Sequence, residues 1–96
     1  MENRYVIQLE DKTMVALAGF PYGNKIFNTC VGNEVALDRE VTICFPDQLK
    51  RVATSFVQGF FDYWLNTYGL DAILKYVQIE ASDYIRQQVM TALSLR

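Results

Sequence analysis

A Thr-Ser pair at positions 54 and 55 stands just behind Lys50-Arg51 and just ahead of an aromatic run, and it is the most chemically suggestive stretch of this 96-residue sequence. A hydroxyl at a helix start accepts from the free amides of the first turn, a capping role worth ~0.5–2 kcal/mol. A phosphate at that place would meet the same amides and the positive end of the helix dipole. Lys50 and Arg51 read as a solvated pair that could also steer an acidic partner. Other chemistry is excluded by composition. The chain has no histidine, which removes His-based general acid–base catalysis, Ser-His-Asp and Cys-His nucleophile systems, and the commonest transition-metal ligand. Cys30 and Cys44 stand alone in apolar settings and read as core thiols in a reducing compartment. Asp38 and Glu40 flank Arg39, and Asp47 lies further on; these read as solvated loop charges, not ligands for a hard cation. Tyr22-Gly23-Asn24 lacks the glycine run and the Lys-Ser/Thr of a phosphate loop. No nucleophile–base pair, metal set or cofactor loop remains, so the expectation is a non-enzyme with no cofactor and no metal.

The elements that must position the Thr-Ser pair follow from periodicity. Arg4 to Leu9 and Thr13 to Leu17 are rich in strand formers and are separated by a polar break, which predicts a hairpin. Gly19, Pro21 and Gly23 predict a loop over 18–23. From Asn24, the spacing of Ile26, Phe27, Cys30, Val31 and Val35 predicts a helix, weakened by Gly32. Val41 to Phe45 predicts a central strand closed by Pro46-Asp47, with a second short extended piece over 51–53. The strongest element spans 55–68, where Phe56, Phe60, Trp64 and Tyr68 recur every four residues beside Val57, Phe61 and Leu65. Thr54 or Ser55 is its expected N-cap, and Gly69 its left-handed stop. Ala72 to Ile79 predicts a strand. Ser82 then caps a last helix whose inner face is Ile85, Val89 and Leu93. The expected order is β-β-α-β-α-β-α, an α/β (α+β) fold in which a mixed sheet of about four strands carries three helices. Segments 41–45 and 73–79 should lie parallel in one sheet, joined by a right-handed crossover.

Three pieces carry a family resemblance: Gly23-Asn24-Lys25-Ile26-Phe27, Val41-Thr42-Ile43-Cys44-Phe45 and Val52-Ala53-Thr54-Ser55-Phe56, followed by the helix ending at Tyr68-Gly69 and a strand–helix tail. In this order and spacing, residues 23 to 93 resemble the STAS-like family of small bacterial domains, distant relatives of the anti-sigma-factor antagonist domain. Ninety-six residues fit one domain, over 1–96, and the resemblance implies a role in protein–protein regulation without catalysis. It implies a regulatory phospho-acceptor at Thr54 or Ser55, modified by a kinase-like ATPase partner. Ala53 stands where those domains usually carry an acidic residue ahead of the hydroxyl, a departure that bears on phosphorylation and not on the fold.

The nine Lys and Arg residues are scattered apart from Lys50-Arg51, and the net charge is −2, which argues against a nucleic-acid partner. The apolar run Met14 to Phe20 follows Glu2, Glu10 and Asp11 and is too short to span a bilayer, so no membrane partner is expected and a cytoplasmic location is. The expected contact surface for a protein partner comprises Lys50, Arg51, Phe56, Gln58, Tyr63 and Trp64. The aromatic stripe reads first as core, and homodimerisation through the same helix is a further expectation. A stand-alone inhibitor of the same fold, without phosphorylation and for example phage-encoded, is the alternative.

Overall fold

The run Val41-Thr42-Ile43-Cys44, β-branched at its first three residues, forms the central strand of the molecule. In the computed structural model, which describes residues 3–9, 11 and 13–95, it is β3 (Val41–Cys44). It is flanked by β1 (Arg4–Val6) and β5 (Val77–Glu80), both parallel to it. Val41 pairs with Val77 and Cys44 with Glu80, so the two segments read as one parallel unit do lie side by side. A second, two-stranded sheet pairs β2 (Ala16–Leu17) in parallel with β4 (Arg51–Val52). Among the described residues, four helices complete an α/β fold: α1 (Phe20–Cys30), α2 (Thr54–Thr67), α3 (Leu70–Tyr76) and α4 (Asp83–Ser94). The order is β-β-α-β-β-α-α-β-α, and the expected four-stranded mixed sheet is two parallel sheets.

The predicted N-terminal hairpin does not form. Asp11 accepts from both the backbone N–H and the hydroxyl of Thr13, a side-chain-closed turn that carries the chain from one sheet to the other. β1 and β2 then each find a later strand, through crossovers long enough for parallel pairing. Strand propensity marked both segments but could not choose their partners.

Two helix boundaries also differ. The expected loop 18–23 is mostly the first turn of α1, which starts at Phe20 behind Gly19 at φ 99°. Pro21 fits there because first-turn amides have no intrahelical acceptor to lose. The expected strand 72–79 is α3 followed by β5, because Gly69, at φ 91°, ends α2 and starts a new helix with Asp71 in its first turn and Lys75 in its last. Only Val77-Gln78-Ile79-Glu80 alternates with the period of a strand. The left-handed stop at Gly69 and the Ser82 cap of α4 are as expected, the latter with Ser82 Oγ accepting from the Ile85 amide at 3.3 Å.

The core sits where α1, α2 and α4 meet the inner sheet face. Phe27, Phe56, Phe60, Phe61 and Trp64 are fully buried, and Phe27 meets Phe60 and Trp64 edge-on with ring centroids 5.4 and 5.0 Å apart. The indole N–H of Trp64 donates to the Val35 carbonyl at 3.1 Å, so its polar atom is satisfied inside the core. This packing depends on an unusually close helix crossing. Gly23 of α1 lies against the backbone of Phe56 and Phe60 in α2, and Gly59 of α2 lies against the backbone of Phe20 in α1. A Cβ at either position would run into main-chain atoms, which cannot swing aside. Gly23→Ala and Gly59→Ala are each expected to destabilise the fold by about 1–3 kcal/mol. Thermal unfolding should show this as a fall in Tm of ~4–8 °C per kcal/mol. Tm values within a degree or two of wild type would refute the close crossing.

Candidate functional site

The transition from β4 to α2 places the predicted residues. Ala53 donates its amide to the Leu17 carbonyl at 2.8 Å, which holds it in extended conformation, and it is the N-cap of α2 with φ −75° and ψ 151°. Neither Thr54 nor Ser55 therefore caps the helix: both are inside it, and the cap makes no side-chain hydrogen bond. A hydroxyl must sit at the last extended residue to cap, and the pairing of β4 with β2 puts that residue one position earlier than the sequence suggested. Thr54 is exposed at the first helical position. Ser55 is also exposed, but its Oγ accepts from the Gly19 amide at 2.9 Å and ties the start of α2 to the start of α1. The two hydroxyls are neighbours with different duties.

A groove of about 380 Å³ opens in front of this junction. Residues Arg51 to Thr54 form one wall, and Tyr84, Gln87, Gln88 and Thr91 of α4 form the other. Tyr84 is 59% exposed. Gln88 Oε1 accepts from the Val52 amide at 2.7 Å. Arg51 and Lys50 are exposed, and no ion pair among the described residues engages either.

The structure brings Lys50, Arg51, Thr54 and Ser55 together, as their adjacency requires, but it removes part of the expected contact surface. Phe56 and Trp64 are fully buried core residues and cannot present themselves to a partner. Gln58 and Tyr63 are half-buried, with the Tyr63 ring 6.1 Å from that of Phe27. The wide apolar face of α2 is covered by α1 on one side and by the sheet and α4 on the other, so its width reflects burial from several directions. The α4 wall was not foreseen. The inward periodicity of Ile85, Val89 and Leu93 already assigned Tyr84, Gln87, Gln88 and Thr91 to other faces of that helix. Which of those faces meets β4 is a tertiary fact without a local signal.

A second cluster lies on one face of the three-stranded sheet, joining Arg4 at the start of β1 to Cys44 and Glu80 at the carboxyl ends of β3 and β5. Arg4 grips Glu80 with two bonds, Nη2 to Oε1 at 2.6 Å and Nε to Oε2 at 3.2 Å, across the intervening strand. The Cys44 thiol donates to Glu80 Oε2 at 3.6 Å. The hydrogen bonds from Arg4 hold the Glu80 carboxyl below the usual carboxylate range. Burial, and then the Glu80 charge, push the Cys44 thiol upward, so it stays protonated and is no nucleophile at neutral pH. Among the described residues, no group of His, Cys, Asp or Glu side chains could hold a metal ion, and no helix is long and apolar enough to cross a membrane.

Set against protein-family models, curated proteins and solved structures, the chain finds no match in any of the three comparisons.

Ser55→Ala leaves the Gly19 amide without its acceptor and should cost about 1 kcal/mol, whereas Thr54→Ala should stay within ~0.5 kcal/mol. Urea titrations of the two variants decide this, and equal effects would contradict the division of labour. For Glu80 the folded carboxyl lies below its unfolded value, so its contribution is present near neutral pH and lost as pH falls through the folded value. The stability gap between wild type and Glu80→Gln should therefore close on acidification; a gap independent of pH would contradict the Arg4–Glu80 pairing.

Proposed function

We propose that this chain is a non-catalytic regulatory module that binds a protein partner through the groove between β4 and α4. The observation that carries the reading is the composition of that groove. An aromatic side chain, Tyr84, is 59% exposed beside Arg51, a cation without an ion pair among the described residues, at the start of a helix. Tyr and Arg are the residues most often responsible for binding energy at protein interfaces, because they bury large area or form directed bonds at small entropic cost. The STAS-like resemblance supports a regulatory role, since it rests on the segment 52–56 that forms one wall. A kinase-like ATPase is the partner class that resemblance suggests, and a cytoplasmic setting suits two unpaired thiols.

Phosphorylation at Thr54 would switch this surface. Its hydroxyl is exposed at the first helical residue, where the added charge would meet free amides and would also alter the groove wall. Ser55 is the poorer acceptor, because modification there would break its bond from Gly19. Ala53, in place of an acidic residue ahead of the hydroxyl, favours a second reading in which the same groove binds a partner with no modification, as a stand-alone inhibitor would.

The test is affinity capture from the native host with wild type, Arg51→Glu, Tyr84→Ala, Thr54→Asp and a distant control, Asn33→Ala, each first shown to be folded by circular dichroism. A partner retained by the control and lost with Arg51→Glu and Tyr84→Ala is the expected result. Loss with Thr54→Asp as well supports the switch, and retention there supports the unmodified reading. A partner held equally by all variants refutes the groove.

A further inference from the structure

β4 is the outer strand of a two-stranded sheet, and the groove runs along its outer edge. On the inner edge, Arg51 and Ala53 donate their amides to the Val15 and Leu17 carbonyls at 3.3 and 2.8 Å, with the Lys50 amide sharing the Val15 carbonyl at 2.7 Å. Strand alternation turns the Val52 amide the other way, toward the groove. The group it finds there is not backbone: it is the carboxamide oxygen of Gln88, at 2.7 Å. A carboxamide oxygen has the same acceptor chemistry as a peptide carbonyl. Gln88 thus occupies the place that a carbonyl from a third strand would take. It reaches that place on a flexible, half-buried side chain that can swing out without disturbing the core residues Ile85 and Val89 beside it.

We infer that the groove receives an extended, acidic segment of a partner protein, which adds to β4 as a third strand and replaces Gln88 at the Val52 amide. This inference rests on the reading of the groove as a protein-contact surface and specifies what enters it. Backbone bonds would supply the affinity, as in other cases of strand addition at an open sheet edge. The cleft's volume of about 380 Å³ admits a short stretch of chain and falls in the ordinary range of ligand clefts. Charge selects the occupant. Arg51 is the one ionised side chain among the lining residues described, and Lys50 precedes it, so this edge is locally cationic on a chain of net charge −2. Val52 is buried while Arg51 is exposed, so a strand laid beside β4 would set one outward side chain against Arg51, where Asp or Glu pairs best.

The experiment pans a display library of random linear peptides against the full chain, then titrates the enriched peptide into ¹⁵N-labelled protein. The expected result is enrichment of sequences with Asp or Glu between strand-forming residues, and movement of the Val52 backbone and Gln88 side-chain amide signals on binding. Arg51→Glu should weaken binding about tenfold or more, and N-methylation of the peptide backbone at the paired positions should do the same. Gln88→Ala removes the competing acceptor and should bind at least as tightly as wild type. Failure to enrich any peptide overturns the inference, as does a bound peptide that leaves Val52 unmoved or tolerates N-methylation throughout. Movement of the Val52 signal with protein concentration alone would make the occupant a second copy of this chain, and would also overturn it. If strand addition fails while capture of the partner still depends on Arg51 and Tyr84, the groove binds a folded surface and the proposed function stands. If both fail, the groove is no contact surface.

Discussion

The backbones of α1 and α2 touch at Gly23 and Gly59, and every other placement in the molecule is set relative to that contact. A small residue stands four positions before each glycine, Gly19 at the cap of α1 and Ser55 in the first turn of α2, and these two are joined by the hydrogen bond from the Gly19 amide to Ser55 Oγ. Positions four apart share a helix face, so Ser55 and Gly59 leave a flat strip on α2 along which the main chain of α1 can approach. Close approach brings Phe27 edge-on against Phe60 and Trp64 and leaves no room for solvent among five large aromatic residues. The start of α2 is set at its other border by the β2–β4 pairing, through the Ala53 amide on the Leu17 carbonyl.

What could be read from the chain beforehand was whatever one segment states about itself. The apolar run Val41 to Phe45 reads as a central strand whatever its neighbours do, and Gly69 ends α2 because a left-handed residue is needed there. The periodicity of Phe56 to Tyr68 identified both α2 and its breadth of burial. Two of the errors share one cause: a residue type with two structural uses. Pro21 and Gly23 signal a loop by frequency, yet here the proline occupies a first turn, where it loses no bond, and the glycine makes room for another helix. Ala72 to Tyr76 mixes helix and strand formers, and the helix prevails because Gly69 resets the chain just before it. The hairpin failed because strand propensity carries no information about pairing partners.

The candidate site divides along the same line. Its β4–α2 wall was legible, since Lys50, Arg51, Thr54 and Ser55 are contiguous and their chemistry is local. Its α4 wall was not, because the approach of Gln88 to Val52 joins residues 36 apart in sequence. The aromatic stripe is core, as its first reading has it, and Phe56 and Trp64 are thereby withdrawn from the expected contact surface; a broad apolar stripe reports how many neighbours a helix has before it reports any partner. The outer face of the three-stranded sheet illustrates the converse. Parallel sheets are usually covered on both faces, yet Arg4, Val6, Gln78 and Glu80 are exposed there, and the Arg4–Glu80 pair spans the strands in place of a covering layer.

The most direct test of this account is a nuclear Overhauser measurement between the α-protons of Gly23 and the amide proton of Phe60. A main-chain contact at the α1–α2 crossing predicts a strong cross-peak between them, because the atom that would carry a side chain at Gly23 points at that amide. A spectrum in which the two helices show side-chain contacts alone, with no such backbone cross-peak, would contradict the crossing and with it the placement of the β4–α2 junction.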